Sequence, residues 1–139
     1  MMKTRNMVLG AILAGLLPVF SAAAQAQIPL PQEKHINMSL MAGVIGDEIR
    51  KNCPTISPRY LVVWQKLEAL KSYAIKKGYK RDEVKKFLKD PVQKARVKKM
   101  AAEYMAAHGV KPGDPESYCR LGEEEIARKS LIGQMLRAR

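Results

Sequence analysis

The sequence has 139 residues, a formal net charge of +12, two cysteines and two histidines. That length suits one domain with one modest core. Two cysteines with no CxxC spacing and no neighbouring histidine speak against a structural zinc site, which normally takes four ligands.

The chain opens with "MMKTRNMVLGAILAGLLPVFSAAAQAQ". Lys3 and Arg5 give a positive start, Met7 to Phe20 is an uncharged apolar run, and small residues follow it. This is the layout of a secretory signal peptide over residues 1–26. The run is shorter than the about 20 residues of a membrane span. Ala24-Gln25-Ala26 fits cleavage before Gln27, with Ala22-Ala23-Ala24 and a start at Gln25 as the rival. No cysteine lies at the cleavage site, which argues against a lipoprotein. The mature chain, residues 27–139, then forms a single helical domain in the periplasm or outside the cell. Lys3 and Arg5 leave with the signal, so the mature charge is +10.

"QIPLPQEK" reads as an extended lead-in because Pro29 and Pro31 oppose regular structure. A first helix is expected from about Glu33 to Asn52, with Ile36, Leu40, Val44, Ile45 and Ile49 as its apolar stripe. Gly43 and Gly46 weaken it but suit close approach to another helix. Cys53-Pro54 ends it. Ser57 as cap and Pro58 at the first position start a second helix. Leu61, Trp64, Leu67, Leu70 or Lys71, and Ala74 form its stripe, widened by Tyr60, Val63 and Tyr73. Trp64, the only tryptophan, is expected in the core, and Gly78 at the C-terminal end.

"YKRDEVKKFLKD" suits a short helix with Val84, Phe87 and Leu88 as its apolar edge. Asp90-Pro91 starts the next helix, which runs to about His108 and stops at Gly109. After the turn-rich "VKPGDPES", Asp114-Pro115 starts another, through about Arg128, and Ser130 caps a last short segment. No run shows strand alternation. The expected fold is all-α, a small bundle of four to six helices stapled by one disulfide.

The catalytic inventory is thin. His35 and His108 lie in no motif with a mechanism, and no glycine-rich phosphate loop follows a strand. The chain therefore reads as a non-enzymatic protein without a cofactor. Glu123, Glu124 and Glu125 are consecutive and read as a solvated face. His35, Met38 and Met41, and again Met105 and His108, recur three apart, and thioether with imidazole suits copper(I). Methionine filling gaps in a core explains the same pattern, so no metal site is assigned.

The charge pattern is more informative. Between residues 76 and 99 stand Lys76, Lys77, Lys80, Arg81, Lys85, Lys86, Lys89, Lys94, Arg96, Lys98 and Lys99, against only Asp82, Glu83 and Asp90. One reading is a helix surface solvated by lysines. The other is a face for an anionic partner, either an acidic protein surface or an anionic membrane surface. Nucleic acid would give the same charge signature, but only Tyr79 and Phe87 interleave the belt, and expected secretion opposes it.

Cys53 and Cys119 are expected to pair. Two is the minimum even count, and the signal peptide implies an oxidising compartment. A redox dithiol would place its cysteines close together in sequence.

"EKHIN", "GDEIRKNCP", "VVWQKLEALKSYA" and "SYCRLGEEEIARKSLIG" together resemble a family of small secreted alphaproteobacterial proteins defined by a domain of unknown function. The resemblance covers most of the mature chain and is most distinctive around Cys53 and Cys119. It implies a family but no catalytic residues. Small periplasmic acid-stress chaperones, also helical with one disulfide, offer an analogy of architecture.

The tripartite N-terminus yields a first prediction. N-terminal sequencing of periplasmic material should begin at Gln27, or at Gln25 if the rival site is used. A full-length, membrane-bound chain would contradict export and processing.

Overall fold

The computed structural model describes residues 26–139. Residues 1–25, nearly all of the expected signal peptide, lie outside the described residues. The lead-in is docked rather than loose. Leu30 is buried, a 3-10 turn spans Leu30–Gln32, and the Tyr79 hydroxyl donates to the Ile28 carbonyl.

Helix α1, Lys34–Asn52, is the axis of the molecule. Glu33 caps it, its carboxylate accepting from the Ile36 N–H at 2.6 Å. Ile36, Ile45 and Ile49 are buried along it, as the spacing predicts. Five further helices follow: α2, Tyr60–Lys76; α3, Arg81–Lys89; α4, Pro91–Ala107; α5, Pro115–Ala127; and α6, Leu131–Gln134. Each end of α1 carries its own apolar cluster. Toward its C-terminus, Ile45, Ile49, Ile56, Ala101, Met105, Leu121 and Leu136 join α1 to α4, α5 and the C-terminal segment. Toward its N-terminus, Leu30, Ile36, Leu70, Ala74, Val84 and Phe87 join it to α2 and α3.

The Cys53–Cys119 disulfide is formed, with S–S 2.04 Å and Cα–Cα 5.0 Å. Cys53 sits at the C-terminal cap of α1 and Cys119 in α5. The six helices and this bond bear out the expected fold class.

Several local expectations need correction. Ser57 and Pro58 do not start α2. They lie in a short strand, β1 (Ile56–Pro58), which pairs antiparallel with β2 (Leu136–Ala138) in the register Ile56↔Ala138, Ser57↔Arg137, Pro58↔Leu136. A residue preceding proline is steered into extended backbone, and Pro54 and Pro58 both act that way here. Strands of three residues are too short to leave an alternation in the sequence. The pairing is extended at both ends, by Arg59 N–H to the Met135 carbonyl at 2.8 Å and Arg139 N–H to the Thr55 carbonyl at 2.8 Å.

Gly43 and Gly46 do not serve close helix approach. A Cβ at Gly43 would meet nothing within 4 Å, and one at Gly46 only the edge of Leu136 at 4.0 Å. The close approaches fall at two other glycines. A Cβ at Gly122 would lie 2.4 Å from Ile56 Cδ1 and 2.8 Å from Ile49 Cγ2, so α5 presses onto α1 and β1 there. One at Gly133 would lie 1.9 Å from the Glu125 carbonyl oxygen, where α6 turns back on α5.

The largest correction concerns α2. Trp64 is 59% exposed, and Tyr60 and Leu61 are 70% and 67% exposed. A step of three residues turns a helix back by about 60°, so three such steps carry Leu61 to the side opposite Leu70, about 180° away. The inward line is Val63, Lys66, Leu70 and Ala74: Val63 and Lys66 are half-buried, with Val63 packed on the larger cluster, and Leu70 and Ala74 are buried in the smaller one. Lys66 at its centre donates to Gln134 at 2.7 Å.

The disulfide closes a loop with a sequence separation of 66. In the chain-entropy view such a loop contributes about 4 kcal/mol. Replacing both Cys53 and Cys119 with Ser should therefore lower the melting temperature by roughly 10–20 °C. A calorimetric scan in which the double variant melts with the parent would contradict this.

Candidate functional site

The basic segment folds as α3, a short turn at Asp90, and the first half of α4. The amphipathic pattern of α3 fixes its orientation. Val84 and Phe87 face the smaller cluster, while Arg81, Lys85, Lys86 and Lys89 are exposed. In α4, Val97 and Ala101 are buried and Lys94, Lys98 and Lys99 are exposed. Lys76, Lys77 and Lys80, around the end of α2, are exposed as well. Lys77 lies over the Tyr73 ring, 5.5 Å from its centroid.

Two of the three local acids are engaged with backbone N–H groups. Glu83 accepts from the Lys80 N–H at 3.4 Å. Asp90 caps α4, accepting from the Val92 and Gln93 N–H groups at 2.7 and 3.1 Å. Among the described residues, the one ion pair of the belt is Lys99 with Glu103, at 3.9 Å. Glu83 and Asp90 are thus spent on helix starts rather than on the lysines.

Arg96 stands apart from the other ten cations. It is half-buried, donating to Gln93 Oε1 at 2.9 Å and to the carbonyl oxygen of the Asn37 side chain. Asn37 is itself buried and donates to the Leu30 and Glu33 carbonyls at 2.8 and 2.6 Å. Arg96 is thus a strut between α4 and the start of α1 rather than part of the open face.

The exposed cations rim two shallow apolar clefts on either side of α3. One lies between α2 and α3, with Ile75, Val84 and Leu88 as its floor and Arg81, Lys85 and Lys89 at its edge. The other has Leu40, Val44 and Val97 beneath Lys94 and Lys98. Leu88 belongs to both. This is a surface for broad contact, able to hold negative charge against aliphatic carbon.

The remaining candidates are dispersed. His35 packs edge-on against Tyr73, and Met38 is exposed. Met41 packs on the larger cluster and Met105 is buried within it. His108 stacks outside on Tyr104, with ring centroids 4.0 Å apart. Met105 therefore faces the core while its expected partner faces outward. Among the described residues, no group of three or more His, Cys, Asp or Glu is placed to hold a metal ion.

The acidic triplet divides. Glu123 and Glu124 are exposed as expected, but Glu125 is fully buried, which corrects the reading of a solvated face. Its carboxylate accepts from the Tyr104 hydroxyl at 2.5 Å, from Arg128 at 2.5 Å and from the Ser130 hydroxyl. Burial, then the Glu125 carboxylate, push the Tyr104 hydroxyl above its ordinary range. The network pins the α5–α6 corner to α4. Its sequence signal was the spacing of Glu125, Arg128 and Ser130 beside a helix end, which the run of three glutamates disguised.

The fold defines a small helical domain cross-linked between its first and fifth helices. Residues 28–137 match a family of unknown function (DUF5333), and the chain belongs to that family. No curated protein and no solved structure matches it.

The different settings of the cations yield a prediction. Arg96→Gln leaves the buried Asn37 oxygen short of its donor and should cost about 1–3 kcal/mol. Lys98→Gln, on the open surface, should stay within about 0.5 kcal/mol of the parent. Denaturant midpoints compare them, and equal stability of the two variants would contradict a strut role for Arg96.

Proposed function

We propose that this is a non-enzymatic protein of the periplasm or cell exterior that binds an anionic partner, an acidic protein face or an anionic membrane surface, through the lysine face of α3 and early α4. One observation carries the reading: ten exposed cations stand together where two of the three local acids, Glu83 and Asp90, are engaged in helix starts. A field of that kind draws in a partner of opposite sign over the Debye length, about 8 Å at physiological salt. The N-terminal layout and the disulfide support an oxidising location outside the cytoplasm. Among the described residues, no helix is long and apolar enough to cross a membrane.

A second reading, a chaperone-like stress protein, draws on the outward apolar residues at the start of α2, a surface already open without a trigger. Suppression of client aggregation at low pH, undiminished by charge reversal on α3, would favour it.

Changing Lys85, Lys86, Lys89 and Lys94 to Glu should strongly reduce retention of the protein by its native envelope fraction and flatten the salt dependence of that retention. The far-ultraviolet helical signal should not change. Retention equal to that of the parent would overturn the basic-face reading.

A further inference from the structure

Tyr60, Trp64, Leu67, Lys71 and Ile75 fall on one straight row of α2, at steps of four, three, four and four, exposed as far as Leu67 and half-buried beyond it, where Ile75 packs on the smaller cluster. Tyr60 and Trp64 are more than half exposed, Leu67 is 37% exposed, and Leu61 flanks them. Among the described residues, no element packs over this part of the row. Further along, Lys71 and Ile75 enter the cleft edged by Arg81, Lys85 and Lys89. Leu67, Lys71 and Leu88 also meet at the rim of the smaller core. The apolar ridge and the cationic cleft are therefore one continuous surface. Lys71 is paired with Glu68 at 2.7 Å, whereas Arg81, Lys85 and Lys89 have no acidic partner within ion-pair distance among the described residues.

The shape and chemistry of this surface select its occupant. A second copy carries the same positive excess, so like charges oppose pairing of these faces. An acidic protein would supply the charge but would need its own concave apolar surface to cover a convex ridge. A lipid surface meets both demands. It deforms around a protruding helix, tryptophan and tyrosine favour the headgroup level, and lysine and arginine reach the phosphates. Each cation near an anionic surface is worth about 1 kcal/mol.

We infer that the leading row of α2 and the adjoining α2–α3 cleft form a docking face for an anionic lipid bilayer. Tyr60, Leu61 and Trp64 enter the boundary between headgroups and acyl chains, and Arg81, Lys85 and Lys89 engage headgroup phosphates. The inference rests on the basic-face reading and names its partner.

Trp64 is the only tryptophan, so its emission reports this face directly. The mature, oxidised protein is mixed with vesicles of phosphatidylglycerol and phosphatidylethanolamine, and with phosphatidylcholine alone. Anionic vesicles should shift Trp64 emission to the blue, and brominated acyl chains should quench it, while phosphatidylcholine does neither. Tyr60→Gln with Leu61→Gln keeps the reporter and alters only exposed side chains. This pair, and separately Lys85→Glu with Lys89→Glu, should each weaken vesicle binding about tenfold. Equal binding to phosphatidylcholine would overturn the inference, as would sedimentation with anionic vesicles without a change in Trp64 emission. Absence of vesicle binding would also overturn it. If envelope retention is then still lost on charge reversal, the basic-face reading stands with an acidic protein as partner.

Discussion

The bond between Cys53 and Cys119 joins the C-terminal end of α1 to α5, and the other packing relations at that end depend on it. With the two chains held at a Cα separation of 5.0 Å, α5 can lie on Ile49 and Ile56 because Gly122 presents no side chain there. That contact sets the direction of α5, the α5–α6 corner follows from Gly133, and the C-terminal strand arrives beside β1. The start and finish of the domain become one unit. Helices α2 and α3, and most of α4, form an excursion whose two ends are fixed by that unit.

The polar interior does a complementary task. Arg96 with Asn37 ties α4 to the beginning of α1, and Glu125 with Tyr104, Arg128 and Ser130 ties it to α5 and α6. Both groups are satisfied by partners on different elements, so both penalise any sliding of α4 that would leave a buried acceptor unmet. Some of the acids go to such networks and helix starts, as at Glu125, Glu33, Asp90 and Asp114. The positive face is thus a consequence of how the fold spends its carboxylates as well as of the number of lysines.

Much of this was legible in the sequence. Asp90-Pro91 and Asp114-Pro115 mark the starts of α4 and α5, Gly78 and Gly109 fall just past the ends of α2 and α4, and cysteine counting gives the cross-link. What escaped notice required knowing the neighbours. Repeated steps of three drift across α2, from Leu61 to the opposite side at Leu70, and spacing does not tell which side another element covers, so the sequence does not show that Trp64 lies outside. Three residues of β1 are too few to show a period. Glu125 looks like its exposed neighbours until Tyr104 and Ser130 are seen around it. The basic belt was evident from composition, whereas its split into ten open cations and one strut was not.

Helix α2 is only half docked, with its inner line held by Val63, Leu70 and Ala74 and the start of its outer row, Tyr60 to Leu67, open. The most direct measurement is quenching of Trp64 emission by acrylamide in the partner-free, oxidised protein. The structure predicts ready quenching, close to that of the unfolded chain, with an emission maximum characteristic of water. A shielded, blue-shifted tryptophan that acrylamide does not reach would contradict it, placing the row under another element or another copy.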